Sequence, residues 1–297
     1  MKKLVVITGP TASGKTSLSI RLALHYQSEI LSADSRQFYR KMDIGTAKPS
    51  KEELEKVTHH FINSLEIDEK YNVGRFEEDA LKKTSLLFDN YDILFLTGGS
   101  GLYIDALCKG IDDLPETEIS VREELNRIYK TEGIEALQKK LLETDPEYYS
   151  QTDLNNPHRL IRALEVSIIT GCKYSSFRKN ISKERDFITR KIGLLVDRAE
   201  LYNRINLRVD AMIKNGLVKE VQTLLLYRNA NALQTVGYKE IIDYLDNKIS
   251  LDEAIETIKQ NTRNYAKRQM TWFRRDKEIH WFEPEEFESI CGFIGEG

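Results

Sequence analysis

Gly9-Pro10-Thr11-Ala12-Ser13-Gly14-Lys15-Thr16 fits the pattern G-x-x-x-x-G-K-[ST] without a mismatch. Glycines at this spacing let the backbone curl until several N–H groups point at one anion, and a following helix adds its dipole. Lys15 would bring a point charge to phosphate oxygens, and the Thr16 hydroxyl stands where it would ligate Mg²⁺. The whole segment Gly9, Pro10, Thr11, Ala12, Ser13, Gly14, Lys15 and Thr16 is therefore a candidate diphosphate or nucleotide cradle. A ligand-free glycine turn would need neither the lysine nor the threonine. The pattern points to a polyphosphate without saying which one. A nucleotide kinase also places an acid at the end of a later strand to hold magnesium, but the run Ile93–Leu96 ends in Thr97-Gly98-Gly99-Ser100-Gly101. Asp34 is the nearest acid of the right kind. It could deprotonate or orient an acceptor beside the phosphates, or simply cap the next turn, since Asp favours both tasks.

Those residues need elements to hold them. Lys3–Thr8 is a β-rich apolar run ending in glycine, which predicts a strand buried on both faces. Lys15–Tyr26 follows as a helix, with Leu18, Leu22 and Tyr26 spaced to face inward. Glu29–Ala33, Tyr91–Thr97 and Lys191–Val196 read as further strands, closed by Asp34, Gly98 and Asp197. Strands alternating with helices imply parallel crossovers. The fold class is α/β: a P-loop NTPase-like, doubly wound parallel sheet, whose ligands sit at the carboxyl ends of the strands. Between Asp112 and about Asp186 the strand signal disappears, and Val121–Lys130, Ile134–Leu142 and His158–Ile169 read as helices. The expected organisation is a first core part (1–112), an α-helical insertion domain (113–186), and a core completion with C-terminal helices (187–297). From Arg198 onward Leu201, Ile205, Val209 and Met212/Ile213 recur at helical spacing, while Trp281 reads as packing and Glu283–Glu288 as a solvated terminus.

Composition narrows the classes. The 297 residues are 40% hydrophobic and 31% charged, which excludes a disordered or collagen-like chain. No apolar run approaches the roughly 20 residues of a bilayer span. Leu4–Ile7 is too short for a secretory core of about 7–15 residues, so a cytoplasmic location is expected. Cys108, Cys172 and Cys291 show no paired spacing. A net charge of −3 excludes a generally basic nucleic-acid coat and leaves room for a local basic face. His59 and His60 are adjacent in a strand-like segment, so they point to opposite faces and do not share a metal.

The stretch from Asp34 to Pro49, DSRQFYRKMDIGTAKP, resembles the signature of the tRNA dimethylallyltransferases (tRNA isopentenyltransferases). The resemblance continues through Gly9–Thr16, His59-His60 (with Asn63 where the family has an acid), Gly98–Tyr103, Arg122, His158–Glu165, Gln234–Glu240 and Thr262–Arg274. It covers roughly residues 4 to 282 and is closest to the bacterial form, since the zinc finger of eukaryotic members is not in this sequence. It implies transfer of a dimethylallyl group from dimethylallyl diphosphate to the exocyclic amine of the adenosine on the 3′ side of the anticodon of tRNA, with Mg²⁺ as cofactor. Asp34 would be the base, with Lys15, Thr16 and an arginine at the departing pyrophosphate. Arg208 matches that arginine, and Arg204 lies on the same predicted face at i, i+4 spacing. Thr11 and Ser100 would neighbour the reacting centre.

The resemblance also implies a set of contacts to the anticodon stem-loop. These are Asp34, Ser35, Arg36, Gln37, Ser100 and Arg122, then His158, Arg159, Leu160, Ile161 and Arg162, then Gln234, Val236, Gly237, Tyr238 and Lys239, and finally Arg263, Lys267, Arg268 and Arg274. A base read in this way must leave its stack, and single-stranded loops are read by stacking and base-edge hydrogen bonds. Arg263, Lys267 and Arg274 recur at helical spacing with Tyr265 and Trp272 interleaved, as a backbone-gripping face would. A solvated basic face gives the same pattern. Arg162 could instead pair with Glu165 at i, i+3. Met270 and Phe273 read as core. The competing functions are an adenylate isopentenyltransferase acting on free nucleotide, a P-loop small-molecule kinase, and a non-catalytic RNA-binding module; a monomer is expected.

Overall fold

The computed structural model describes residues 1–179 and 181–296. Among them, six strands form one sheet: β1 (Lys3–Thr8), β2 (Ile30–Ser32), β3 (His59–His60), β4 (Ile93–Thr97), β5 (Ile188–Leu194) and β6 (Ile279–Phe282). Their order is β3-β2-β4-β1-β5-β6 and every pairing is parallel. Helices α1 (Lys15–His25), α2 (Lys51–Lys56), α3 (Val73–Phe88) and α4 (Gly101–Lys109) come first along the chain. Then follow α5 (Ile119–Glu132), α6 (Ile134–Thr144), α7 (Pro146–Gln151) and α8 (Pro157–Thr170). The chain ends with α9 (Arg198–Lys214), α10 (Leu217–Thr223), α11 (Tyr238–Leu245), α12 (Leu251–Phe273) and α13 (Phe287–Gly295).

Strand β1 shows why the sheet needs helices on both sides. Its side chains alternate in direction: Leu4 and Val6 enter one core with Leu31, Leu94, Phe38 and Phe76, while Val5 and Ile7 enter another with Leu18, Leu22, Phe95 and Ile192. The two faces are equally apolar, so the run reads as continuous. Because β4 lies between β1 and β2, the carboxyl ends of these three strands bring Gly9, Gly98 and Asp34 to one edge. Asp197, at the same edge, accepts the N–H groups of Ala199 and Glu200 as the cap of α9.

The chain divides into one unit of Met1–Cys108 with Arg185–Gly297 and a second of Lys109–Glu184. The second unit is helical, with a core of Leu125, Ile128, Leu137, Leu141, Tyr148, Leu160, Ile161 and Leu164. Its helix α8 carries its own boundary signals: Asn156 accepts the Arg159 N–H, Pro157 opens the first turn, and Gly171 closes the helix at φ 68°. Helix α7 escapes sequence reading because six residues are too few for an amphipathic period; Asp145, fully buried, caps it and also binds Ser175.

Two sequence expectations need correction. Strand β5 starts at Ile188, three residues before the expected Lys191, and ends at Leu194 rather than Val196. Polar Thr189 and charged Arg190 hide its beginning; Lys191 is buried and pairs with Asp276 (2.7 Å) and Glu278 (2.6 Å). The segment Glu283–Glu288 is not simply a solvated terminus either. Trp281 packs against the core from β6 as expected, and although Glu283, Glu285, Glu286 and Glu288 are exposed, α13 buries Phe287, Ile290, Phe293 and Ile294. Ile290 is fully buried, so Ile290→Ala is expected to lower the unfolding free energy by about 2–5 kcal/mol in a urea titration; an unchanged midpoint would return α13 to the status of a loose tail.

Candidate active site

Helix α1 begins without a side-chain cap. Its N-cap is Gly14 in the left-handed region (φ 93°), whereas α12 closes its first turn with a capping box from Ser250 and Glu253. The N–H groups of Gly14, Lys15 and Thr16 have no acceptor among the described residues. They are free to point at an anion, and the helix dipole favours one there. Ala12 also sits at positive φ (65°), a conformation that side chains seldom adopt and that tight loops impose. The Ser13 hydroxyl is buried without a partner among the described residues. Lys15 folds back to donate to the carbonyls of Gly9 (3.0 Å) and Pro10 (2.7 Å). Burial, aided by the Arg208 guanidinium and opposed by Asp34, lowers its ammonium to about 7.

Asp34 stands across from this cradle at the end of β2. Its Oδ1 accepts the Arg36 N–H (3.0 Å), which is the turn-forming role. Burial raises its pKa, against the pull of the Arg36 N–H, the Lys15 ammonium and the Gln37 N–H. The adjoining loop after β4 approaches closely: the Ser100 N–H donates to the Ala33 carbonyl, and Ser100 Oγ accepts the Ser35 N–H (3.1 Å). A Cβ on Gly98 would overlap that Ala33 carbonyl, so only glycine permits the approach.

Of the two candidate arginines on α9, Arg204 and Arg208, the structure brings Arg208 to the loop. Arg208 donates to the Thr11 hydroxyl (3.3 Å) and burial lowers its pKa, while Arg204 turns to Glu200 in an exposed i, i+4 pair. Two residues without an assigned role also reach the site. Gln269, 5% exposed, binds the Thr11 N–H and the Gly99 carbonyl. The Tyr265 phenol is pushed up by burial and by neighbouring Asp34. A polar residue in the buried stripe Ala254, Ile258, Ala266, Gln269, Phe273 was the signal that could have singled out Gln269.

The RNA candidates divide by exposure. Arg36 is tied to the Asn231 carbonyl (2.7 Å), and the Gln37 amide donates to the carbonyls of Thr46 and Ala47 (3.2 Å each). Lys267 and Arg268 on α12 and Arg274 at its C-cap are exposed, and Arg263 is half-buried, donating to Asn206 (2.7 Å). In the helical unit, His158 and Arg159 are exposed. Arg122 grips the fully buried Glu165 through two bonds (2.9 and 2.6 Å), and Arg162 meets the same carboxylate at 2.7 Å, as the i, i+3 alternative has it. Leu160 and Ile161 need correction: both are core of that unit and have no side-chain surface to offer RNA. The same holds for Tyr238, fully buried with its hydroxyl on Glu220 (2.6 Å), and for Gly237, buried at the start of α11, whereas Val236 is half-buried against the core. Gln234 and Lys239 keep exposed side chains. His60 pairs with Glu29 (2.7 Å), and His59 contacts the Val57 carbonyl.

With this geometry established, known proteins give a consistent comparison. The family profile described as IPP transferase matches residues 37–276. A "tRNA dimethylallyltransferase" of Christiangramia forsetii is 53% identical over 95% of this chain and 94% of its own length. A "tRNA dimethylallyltransferase 1" of Bacteroides fragilis is 48% identical over 99% and 97%. Among solved structures, a Bacillus halodurans tRNA isopentenylpyrophosphate transferase superposes with a TM-score of 0.73 at 38% identity, covering 99% of this chain and 96% of that one. A eukaryotic dimethylallyltransferase acting on tRNA gives a TM-score of 0.81 at 28% identity, covering 97% and 75%.

The lowered Lys15 sets a pH test of the cradle. A bound diphosphate restabilises its charged form, so above about pH 7 binding must take up a proton and weaken as pH rises. Calorimetric titration with inorganic pyrophosphate is expected to show affinity falling with pH more steeply than in Lys15→Arg, by up to about tenfold per unit. Parallel pH profiles would remove Lys15 from the pyrophosphate contact.

Proposed function

The chain belongs to the IPP transferase family, and from that premise we propose that it transfers a dimethylallyl group from dimethylallyl diphosphate to the exocyclic amine of the adenosine 3′-adjacent to the anticodon of tRNA. The observation that carries this reading is an anion cradle at the end of β1 facing Asp34 at the end of β2, with no carboxylate closing β4. A kinase lacks its usual magnesium-holding acid in such a site. A transferase whose diphosphate departs does not need one.

In the proposed step the adenine nitrogen forms a bond to the primary allylic carbon, the carbon–oxygen bond to diphosphate breaks, and pyrophosphate leaves with the electron pair. The amine proton passes to Asp34. Its buried carboxylate has a raised pKa, which makes it a better proton acceptor than an ordinary aspartate. Base catalysis of this kind contributes about 10²–10⁴-fold. Lys15, the open N–H groups of α1 and Arg208 through Thr11 surround the charge that develops on the departing oxygen.

Mg²⁺ fits the donor set at the first turn of α1, where the Thr16 hydroxyl has no protein partner among the described residues. Thr16 would hold the ion together with substrate oxygens and water, and the ion would supply positive charge to the diphosphate. For tRNA, the exposed cations of α12 and the exposed His158 and Arg159 of the helical unit support backbone contact. No described helix is long and apolar enough to cross a membrane; the reading places a monomer in the cytoplasm.

Incubation with labelled dimethylallyl diphosphate and either tRNA or AMP tests the reaction. Label is expected on tRNA; label on AMP alone would assign a free-nucleotide enzyme instead. Asp34→Ala is expected to reduce the single-turnover rate by about 10²–10⁴-fold while tRNA affinity stays close to wild type. An unchanged rate would dismiss Asp34 as the base. Replacing Arg263 and Lys267 together by Ala is expected to flatten the salt dependence of tRNA binding by roughly 1.4–1.8 in log–log slope, as two phosphate contacts would. A slope equal to wild type would mean that this face does not touch RNA.

A further inference from the structure

Gln269 takes no part in the chemistry above, yet it joins the two halves of the site. Its Oε1 accepts the Thr11 N–H at 2.8 Å and its Nε2 donates to the Gly99 carbonyl at 2.9 Å. One end accepts and the other donates, so the two backbone groups fix which way the amide points. The residue lies on the buried stripe of α12, where an unpaired amide would be costly and an apolar side chain would be the ordinary choice. Gly99 itself is shaped around it, since a Cβ there would overlap the Gln269 amide nitrogen.

What lies on either side of this amide gives it a purpose. Thr11 belongs to the diphosphate cradle, where its hydroxyl also accepts from Arg208. Gly99 precedes Ser100, which accepts the Ser35 N–H and donates to the Ser35 hydroxyl (3.2 Å), directly after Asp34. The cradle follows β1 and Asp34 follows β2, and these strands are separated by β4, so no direct strand pairing sets the distance between them. We propose that Gln269 is a positioning residue that fixes the spacing between the leaving-group cradle and the loop that supports the base. This rests on the prenyl-transfer reading above. Attack requires the reacting atoms about 3–3.5 Å apart, and a displacement of about 1 Å reduces the rate by about 10²-fold.

The test uses Gln269→Met, which keeps the length and burial of the side chain and removes both hydrogen bonds. Single-turnover transfer from labelled dimethylallyl diphosphate to tRNA is expected to slow by about 30–100-fold. Affinities for inorganic pyrophosphate and for tRNA, each measured without the other, are expected to stay within about threefold, so the loss falls on kcat rather than KM. If Gln269→Met does not fold, Gln269→Glu serves under the same criteria, since it keeps the acceptor for Thr11 and lacks the donor for Gly99. A transfer rate close to wild type would overturn the proposal. So would a pyrophosphate affinity that falls in step with the rate and the thermal midpoint, because that would mark a loosened loop. Should the wild-type protein transfer no label to tRNA, the prenyl-transfer reading fails and the positioning role fails with it. Label transferred equally by wild type and variant would remove the positioning role alone.

Discussion

The site depends on holding a buried ammonium and a buried carboxylate close enough to feel each other without letting them neutralise the work of either. Lys15 and Asp34 each lose hydration at the carboxyl edge of the sheet, and each partly offsets the other's loss. Direct pairing would occupy both groups. Instead Lys15 donates to the carbonyls of its own loop and Asp34 accepts from its own turn. In the proposed transfer a diphosphate in the cradle would replace the carbonyls around Lys15, and the amine would meet a carboxylate with spare acceptor capacity.

Keeping that arrangement requires rigid loops, and the signature segment after Asp34 is held from several directions. The Glu220 carboxylate collects the N–H groups of Asp43 (3.0 Å), Ile44 (2.7 Å) and Gly45 (3.0 Å), and the Tyr238 hydroxyl completes its shell. Lys48, almost buried, donates to the Tyr39 carbonyl and to Asp43. Thus Tyr238, whose sequence neighbours suggest RNA contact, acts inside the protein on the segment that follows Asp34. The helical unit repeats the principle: one buried carboxylate, Glu165, orients Arg122 and Arg162 together, and Arg162 also donates to the Pro115 carbonyl.

Much of the fold was legible because its strongest signals are local. Strand β1, the glycine loop, α1 and the insertion helices α5, α6 and α8 follow from apolar runs, glycine spacing and helical period. The losses came where locality fails. The first half of strand β5 carries Arg190 and Lys191, and the charge of Lys191 is compensated by Asp276 and Glu278, some 85 residues away in the chain. Leu160 and Ile161 carry motif-like spacing, yet helix geometry turns them into the core of their unit while Arg159 faces out.

The sequence alone determined the anion cradle, the acid that follows β2 and the absence of an acid after β4, since each is a matter of residue type at fixed spacing. Choosing Arg208 over Arg204, and finding Gln269 between two loops, belonged to the tertiary structure. Both depend on which helix face packs against which strand end, and that distance is set by side chains hundreds of positions apart rather than by any neighbour along the chain.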